Sequence, residues 1–347
     1  MTSPRVSVLT AARNAAGFIA AAMESVLAQS YGDFEYVLVD DASDDATAAI
    51  IADFARRDTR VRLIRNSVRA GAAGALNRGL PELGGDYVAI LDHDDLMLAD
   101  RLERQLRFMD KHPDYGAVGS AVRNISTTGE NLRQRSYPEH PAAAHWNLLF
   151  GTSLLHSASL YRSSLLHTLK GYSAGHSYLC DYELLIRIAE HAPIGNLPDE
   201  LACYRLHAGQ ISTEHSLSQN SQMLLLQYAL HWRWLGLRTP LGPFMALLRW
   251  TRANPPQTVA AASAAMNVLR SLFASYVEHF PLSTEEYQQV AKSCARRWVR
   301  LAHNGYAQHP ALSRECWREA RSLDPGLIGN LEFRRGLRTR SQRPLRQ

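Results

Sequence analysis

Short apolar runs alternate with helical patterns through the first 120 residues of the chain. The runs that predict buried strands are 6–10, 36–39, 61–64 and 87–91. Between them apolar residues recur at spacings of three and four, as over 18–27, which is typical of a helix with one buried face. Strands and helices in alternation predict an α/β fold, with a mostly parallel sheet flanked by helices.

The helical patterns also suggest where individual helices begin and end. Ser43 is expected to cap the second helix, which runs to about Arg57, because a serine before a helical stretch can accept hydrogen bonds from its first amides. A third helix is expected over 71–83.

From about residue 216 the character of the chain changes. Long helical patterns follow one another and are broken by prolines at 240, 243, 255 and 256. The sequence therefore predicts three parts. These are a catalytic domain over 1–215, a helical accessory region over 216–330 and a flexible basic tail over 331–347.

Five tryptophans fall in the helical region, and on residue type we expect them to be packing residues and not platforms for sugar rings. They are Trp232, Trp234, Trp250, Trp298 and Trp317.

Polar side chains follow the ends of all four expected strands. They lie at 10–14, at Asp40 and Asp41, at 65–69, and at 92–95. Ligands of parallel α/β sheets bind beyond the carboxyl ends of the strands. Because like charges repel unless a cation or hydrogen-bond donors offset them, acidic clusters at one edge predict a ligand there.

The segment Leu91-Asp92-His93-Asp94-Asp95 is the strongest single feature. Carboxylates spaced one apart on a turn after a buried strand can hold Mg²⁺ or Mn²⁺ together with phosphate oxygens. The structural alternative is an acidic turn that caps the following helix.

A second acidic segment follows the second expected strand. A strand-terminal aspartate such as Asp40 or Asp41 can accept a hydrogen bond from the imide N–H of a pyrimidine or from a ribose hydroxyl. Asp44 and Asp45 have a simpler alternative as acids in the first turn of a helix, where they favour the helix dipole.

The composition argues against several classes of protein. Hydrophobic residues make up 46% and charged residues 20% of the 347, which does not suit a disordered, collagen-like or integral membrane protein. No apolar run reaches 18 residues and no signal-peptide core is apparent, so a cytoplasmic location is expected. The four cysteines include no C-x-x-C pair, which argues against a zinc knuckle.

Charge is unevenly distributed along the chain. Residues 1–200 carry 19 basic and 25 acidic side chains, whereas residues 201–347 carry 19 basic and 8 acidic ones. The acidic front suits a site that holds a cation. The basic rear suits anionic lipid headgroups or an anionic polymer, or else a solvated tail, so peripheral contact with the inner face of the cytoplasmic membrane is one expectation.

Taken in order, these segments resemble the family-2 glycosyltransferases, which are inverting nucleotide-sugar enzymes with the GT-A fold. The resemblance covers about residues 4–215, and it depends on several motifs in the right order, any one of which would be weak alone. The leading motifs are 6–14, 24–31, 34–45, 71–79 and 91–95. The segments 156–162, 180–187 and 204–212 resemble the acceptor-side segment, the catalytic-base helix and a late motif of the family.

The resemblance implies roles for individual residues. The residues implied to bind the nucleotide sugar are Thr10, Ala11, Arg13, Asn14, Asp40, Asp41, Arg69, Gly71, Asn77, Asp92 and His93. The residues implied to hold Mn²⁺ or Mg²⁺ are Asp92, Asp94 and His207. Asp181 is implied to be the catalytic base, and Cys180 precedes it where many members have a glutamate.

The leading hypothesis is an inverting, metal-dependent glycosyltransferase of the hexosyltransferase class. It would move a sugar from a nucleoside-diphosphate donor, most simply a UDP-sugar, to a hydroxyl of a glycan or lipid-linked acceptor in surface polysaccharide synthesis. A sugar-nucleotide pyrophosphorylase is one alternative, although it would normally have a basic Gly-rich loop after the first strand, where this chain offers only Arg13. A non-catalytic protein that binds nucleic acid or another anionic polymer is the other alternative, although an acidic edge repels phosphate unless a metal fills it.

Overall fold

The computed structural model describes residues 4–173, 175, 178–210 and 216–328. The chain divides into two compact units, Met1–Met223 and Leu224–Gln347. The expected end of the catalytic domain, residue 215, falls shortly before this division. The expected basic tail, 331–347, lies outside the described residues.

One mixed sheet of nine strands forms the core of the first unit, in the order β3-β2-β1-β4-β8-β6-β9-β5, with β7 paired to β6. The strands are β1 (Val6–Ala12), β2 (Phe34–Asp40), β3 (Val61–Arg65), β4 (Tyr87–Ile90), β5 (Leu96–Met97), β6 (Ala117–Ile125), β7 (Asn131–Arg135), β8 (Leu160–Arg162) and β9 (Ile194–Arg205).

The helices of this unit flank the sheet. They are α1 (Ile19–Leu27), α2 (Thr47–Arg57), α3 (Gly71–Gly79), α4 (Arg101–Lys111), α5 (Pro141–Leu148), α6 (Ser163–Thr168) and α7 (Cys180–Ala189), and short 3₁₀ helices span Leu80–Glu82 and His156–Ala158.

The first four strands confirm the expected parallel α/β core. β1 pairs in parallel with β2 and with β4, and β2 pairs in parallel with β3. All of β4 and nearly all of β1 and β2 are buried, as expected for parallel strands covered by helices on both faces. The carboxyl ends of β1, β2 and β4 therefore meet at one edge.

The later strands add antiparallel pairing that the apolar pattern did not predict. β8 pairs antiparallel with both β4 and β6, and β7 pairs antiparallel with β6. β7 is polar and almost fully exposed, and polar residues interrupt β9. Apolar runs are too short here to indicate strands, so the sheet is mixed beyond β4.

The expectation that Ser43 caps the second helix is wrong. That helix, α2, begins at Thr47, and Ala46 precedes it without a side-chain cap. The Ser43 hydroxyl instead accepts a hydrogen bond from the Asn14 backbone N–H, at 3.0 Å. A turn separates Ser43 from the helix, so the hydroxyl serves the loop and not the helix end.

Helices make up the second unit, apart from the first residues of α8, which belong to the first unit. They are α8 (Ser216–Leu235), α9 (Leu241–Thr251), α10 (Val259–His279), α11 (Thr284–Gly305) and α12 (Pro310–Leu323), followed by a 3₁₀ turn at Pro325–Ile328.

The helical unit has its own core and its own caps. Trp250 and Trp298 are buried, as expected of packing residues, and Trp234 is nearly so. Trp232 departs from that expectation, because it is 52% exposed. Ser283 forms a capping box at the start of α11. Within the described residues, no helix combines the length and apolar character that crossing a bilayer requires.

Candidate active site

Two loops close the edge of the sheet above β1 and β2. The Asn14 side-chain oxygen accepts from the Asp44 backbone N–H at 3.1 Å, and the Asp45 carboxylate accepts from the Ala16 backbone N–H at 3.0 Å. Asn14 and Ala42 both have positive φ, 49° and 55°, a conformation that asparagine tolerates better than alanine does. These contacts hold the loop after β1 against the loop after β2.

Asp40 is a buried carboxylate without a hydrogen-bond partner among the described residues. It ends β2, its side chain is 0% exposed, and neither oxygen accepts a hydrogen bond. Its nearest cation is the exposed Arg65, whose Nε lies 3.6 Å from Oδ2. Burying an unsatisfied carboxylate is costly, so Asp40 is a position that a ligand donor would stabilise.

Asp41, its neighbour, is fully engaged within the protein. Its carboxylate accepts hydrogen bonds from Asn66 Nδ2 and from the backbone N–H groups of Ala70 and Gly71, at 2.7 to 2.8 Å. The residue therefore fixes the segment between β3 and α3.

A cavity of about 370 Å³ opens at the carboxyl ends of β2 and β3, within the usual size of small-ligand sites. Ala42, Ser43, Arg65, Asn66 and Ser67 line it. Arg65, which lines this cavity, is the residue whose Nε lies 3.6 Å from the buried Asp40 carboxylate.

The other residues implied to bind the nucleotide sugar differ in what they contact. Thr10 is buried and its hydroxyl contacts the Leu91 carbonyl and the Tyr36 hydroxyl. Arg13 has a buried Nε without a partner among the described residues. Arg69 is exposed and forms no ion pair with a described residue. Ala11 contributes its carbonyl, 3.2 Å from His93 Nδ1.

Asn77 joins α3 to a distant part of the chain. Its side chain donates to the Tyr172 carbonyl at 2.7 Å and accepts from the Tyr172 N–H at 2.8 Å. The nitrogen and the oxygen of the side-chain amide are both engaged, so Asn77 contributes to the site by fixing the segment that carries Tyr172.

The acidic segment after β4 is held from both sides. The Asp92 N–H donates to Ser157 Oγ at 3.0 Å, and buried Asp95 accepts from the Arg205 N–H at 2.8 Å. Burial, together with the charges of Asp94 and Asp92, raises the pKa of Asp95 well above its usual value. The segment thus presents Asp92 and Asp94, while Asp95 anchors it to β9.

His207 and Asp94 meet across the site. His207 Nε2 lies 2.9 Å from Asp94 Oδ2, and both side chains are 14% exposed. The ring of Phe18 packs on His207 with centroids 4.8 Å apart. The late motif and the acidic segment, more than a hundred residues apart in the chain, therefore meet at this point.

His156 and Tyr172 extend this site toward the acceptor-side segment. His156 Nδ1 lies 3.5 Å from Asp92 Oδ1, and its Nε2 lies 2.9 Å from the Tyr172 hydroxyl. Burial lowers the pKa of His156, but the interaction with Asp92 outweighs it and raises that pKa above the usual value. Asp92, His156 and Tyr172 thus form a continuous polar chain.

Asp181 lies at the start of α7, within reach of these charges. Burial raises its pKa, the charge of His156 opposes this, and the charge of Asp92 adds to it, with a net upward shift. An aspartate with a raised pKa near the edge of the sheet is suited to accept a proton.

The sequence analysis did not single out two polar residues of α4 that support the acidic segment. Buried Arg101 donates to the carbonyls of Ser157, Ile90 and Ser159 at 2.7 to 3.0 Å, and Gln105 donates to the carbonyl of Ala158. The signal was present, because both polar residues fall on the apolar stripe of α4 at helical spacing.

The side chains of this site could hold a divalent cation only together with oxygen atoms from a bound ligand. Among the described residues, no group of three or more His, Cys, Asp and Glu side chains is arranged to hold a metal. Mg²⁺ and related ions commonly bind through one or two carboxylates plus substrate phosphates. Asp94 and His207 are close enough to contact one ion, with half-exposed Asp92 beside them, so these residues fit that mode.

Most of the first unit is similar to known glycosyltransferases. The family model described as Glycosyl transferase family 2 matches residues 7–170. The putative glycosyltransferase EpsE of Bacillus subtilis is 36% identical over 174 residues, 49% of this chain and 61% of that protein. The Escherichia coli UDP-Glc:alpha-D-GlcNAc-diphosphoundecaprenol beta-1,3-glucosyltransferase WfgD is 38% identical over 107 residues, 31% of this chain and 42% of that protein. The matched region thus spans less than two thirds of either relative.

A solved structure is similar over nearly the whole chain. The mannosyltransferase PcManGT of Pyrobaculum calidifontis, in complex with GDP-Man and Mn²⁺, has a TM-score of 0.54 and 21% identity. The likeness covers 95% of this chain and 88% of that protein. At this identity the likeness establishes the fold, which agrees with the fold expected from the sequence.

Proposed function

Residues 7–170 of this chain belong to glycosyl transferase family 2, and from this premise we propose that the protein transfers a sugar from a nucleoside-diphosphate donor to a hydroxyl of a glycan or lipid-linked acceptor. The observation that carries the proposal is the buried carboxylate of Asp40, which accepts no hydrogen bond from a described residue and ends β2 at the edge of the sheet where Ala42 and Arg65 line a cavity.

Asp40 supports a UDP-sugar as the donor. An ionised carboxylate is an acceptor only, and the imide N–H of uracil is a matching donor. The cavity lined by Ser43 and Asn66 leaves room for the ribose. Binding uracil would satisfy a buried group that has no partner among the described residues, so the base contributes affinity as well as recognition.

The diphosphate is expected to lie over Asp92, Asp94 and His207, with Arg13 and Arg69 near the loops. A divalent cation bound there supplies electrostatic stabilisation to the negative charge that develops on the leaving diphosphate. Asp94 and His207 would hold this cation, and the exposed guanidinium of Arg69 is available to contact the diphosphate.

Asp181 is proposed as the general base. It takes the proton from the acceptor hydroxyl while the hydroxyl oxygen bonds to the anomeric carbon and the bond to the diphosphate oxygen breaks. Such proton transfer typically contributes about 10²- to 10⁴-fold to the rate. One base opposite one leaving group gives a single displacement, so the transfer inverts the anomeric configuration.

The relatives support a place in cell-envelope polysaccharide synthesis. The name of the similar E. coli enzyme specifies a UDP-glucose donor and a lipid-diphosphate acceptor, and we propose an acceptor of that general chemistry here. The pyrophosphorylase and polymer-binding alternatives lack comparable support, because the matching family model and the named relatives are glycosyltransferases.

Melting temperatures with UDP, GDP, dTDP and CMP, each with and without Mn²⁺, test this proposal. A ligand that binds only the folded state raises the melting temperature. We expect UDP to give the largest shift and Mn²⁺ to increase it. The Asp40→Asn variant should lose the shift, whereas Asp53→Asn, which alters an exposed ion pair on α2, should keep it. No shift with any nucleotide would overturn the proposal.

A further inference from the structure

An apolar stripe runs along α8 on the side away from its buried face. Leu225, Tyr228 and Trp232 are 66%, 36% and 52% exposed. At 100° per residue they fall within one narrow sector of the helix. Gln227, Leu230 and Trp234, which are buried or nearly so, occupy the opposite sector. We call Leu225, Tyr228 and Trp232 the α8 stripe.

One arginine lies directly against the α8 stripe, and the segment that carries the stripe is basic in sequence. The guanidinium of Arg238 lies over the Trp232 ring, 5.0 Å from its centroid. Residues 215–277 contain five arginines and no aspartate or glutamate. An exposed aromatic and aliphatic stripe without acidic neighbours in its own segment is unlike an ordinary solvated helix face, in which charges of both signs usually alternate.

We propose that the α8 stripe is a docking surface for an anionic lipid bilayer. Tryptophan and tyrosine favour the interface between water and hydrocarbon, and an arginine beside them, here Arg238, attracts anionic headgroups. An amphipathic helix of this kind lies in the plane of the interface with its apolar side chains below the headgroups. The absence of acidic residues from 215–277 matches the negative charge of the bilayer. The inference does not depend on the nucleotide site.

The test measures binding of the full chain to vesicles of phosphatidylcholine, alone and mixed with phosphatidylglycerol, by co-sedimentation. We expect binding to the mixed vesicles only. The variant Leu225→Ser/Tyr228→Ser/Trp232→Ser should bind them at least about tenfold more weakly, because it loses the apolar part of the interaction. A matched control, Leu132→Ser/Tyr287→Ser/Tyr306→Ser, removes exposed apolar side chains elsewhere and should bind as the wild type does.

Measurements at high salt distinguish the contribution of the α8 stripe to vesicle binding from that of the basic tail at 331–347. Salt screens contacts between charges but not the insertion of apolar side chains, so the residual binding of the wild type at high salt should disappear in the stripe variant. Unchanged melting temperature and circular dichroism would show that the variant is folded. Wild-type vesicle binding by the folded stripe variant would overturn the proposal. A second outcome would also overturn it: a wild type that is a dimer on gel filtration, with a stripe variant that is a monomer and binds vesicles as the wild type does. The stripe would then contact a second copy of this chain.

Trp232→Phe gives a second readout. Phenylalanine keeps the apolar contact, so this variant should still bind the mixed vesicles. It should lose a component of fluorescence quenching by brominated lipids that the wild type shows, since only a tryptophan at the bilayer surface is quenched. Equal quenching in the two proteins would contradict insertion of Trp232.

Discussion

Adjacent residues with identical side chains can have opposite roles, and Asp40 and Asp41 are such a pair. Asp41 accepts three hydrogen bonds that fix the segment before α3. Asp40 accepts none from the described residues. The strand end therefore separates a structural carboxylate from one that is available to a ligand.

This difference predicts that replacing the two residues has different effects on the free energy of unfolding. Asp41→Asn should lower the free energy of unfolding by about 2 to 3 kcal/mol, because it removes charge-assisted hydrogen bonds. Asp40→Asn should not lower it, because no described residue donates a hydrogen bond to that buried carboxylate. Urea denaturation without nucleotide measures both. A loss of stability in Asp40→Asn as large as that in Asp41→Asn would show that Asp40 has a structural partner.

Asp181 predicts the pH dependence of the reaction. A general base works only when ionised, and the pKa of Asp181 is raised above its usual 3.8. As the pH falls, kcat/KM should therefore begin to fall at a higher pH than an ordinary aspartate would give. Asp181→Asn should lower kcat by about 10²- to 10⁴-fold with little change in donor binding. The control Glu183→Gln, which alters an ion pair with Arg187 on the same helix, should remain within a few-fold of wild type.

At the scale of elements, α4 supports the acidic segment through a buried arginine. Arg101→Met would leave the carbonyls of Ile90, Ser157 and Ser159 without a donor that they now have. The free energy of unfolding should fall by more than about 3 kcal/mol, since each unsatisfied buried group costs about 1 to 3 kcal/mol. Arg107→Met, on the exposed face of the same helix, should change it little. Equal effects in the two variants would contradict this role of Arg101.

The elements also show what the sequence could and could not reveal. The strands β1, β2 and β4 were predictable because both faces are buried, which leaves largely apolar runs. The edge at which Asp40, Asp92 and Asp94 lie followed from that topology. β7 and β9 were not predictable from apolar runs because polar residues interrupt them. Whether Thr10, Asp41 or Asn77 faces a ligand or the protein depends on hydrogen bonds to distant residues, and no local pattern encodes these.

At the scale of the whole molecule, the four cysteines are all free and buried. Burial raises the pKa of Cys180, Cys294 and Cys316 to about 12 in each case, so their thiols are protonated and shielded at neutral pH. The native protein should react with a thiol reagent such as DTNB only slowly, and four thiols should react at once in denaturant. A fast-reacting thiol in the native state would show that at least one of these cysteines is accessible to solvent.

The link between Asn77 and Tyr172 has a consequence for the evolution of the chain. Gly171, beside it, has a φ of +66°, and a Cβ there would come within 2.5 Å of the Asn77 side-chain oxygen. The two positions are therefore constrained together although 93 residues lie between them in the chain. Among related sequences, glycine should therefore be retained at 171 wherever residue 77 is asparagine, because a side chain there would meet Asn77 and Leu80 and would adopt a strained positive φ.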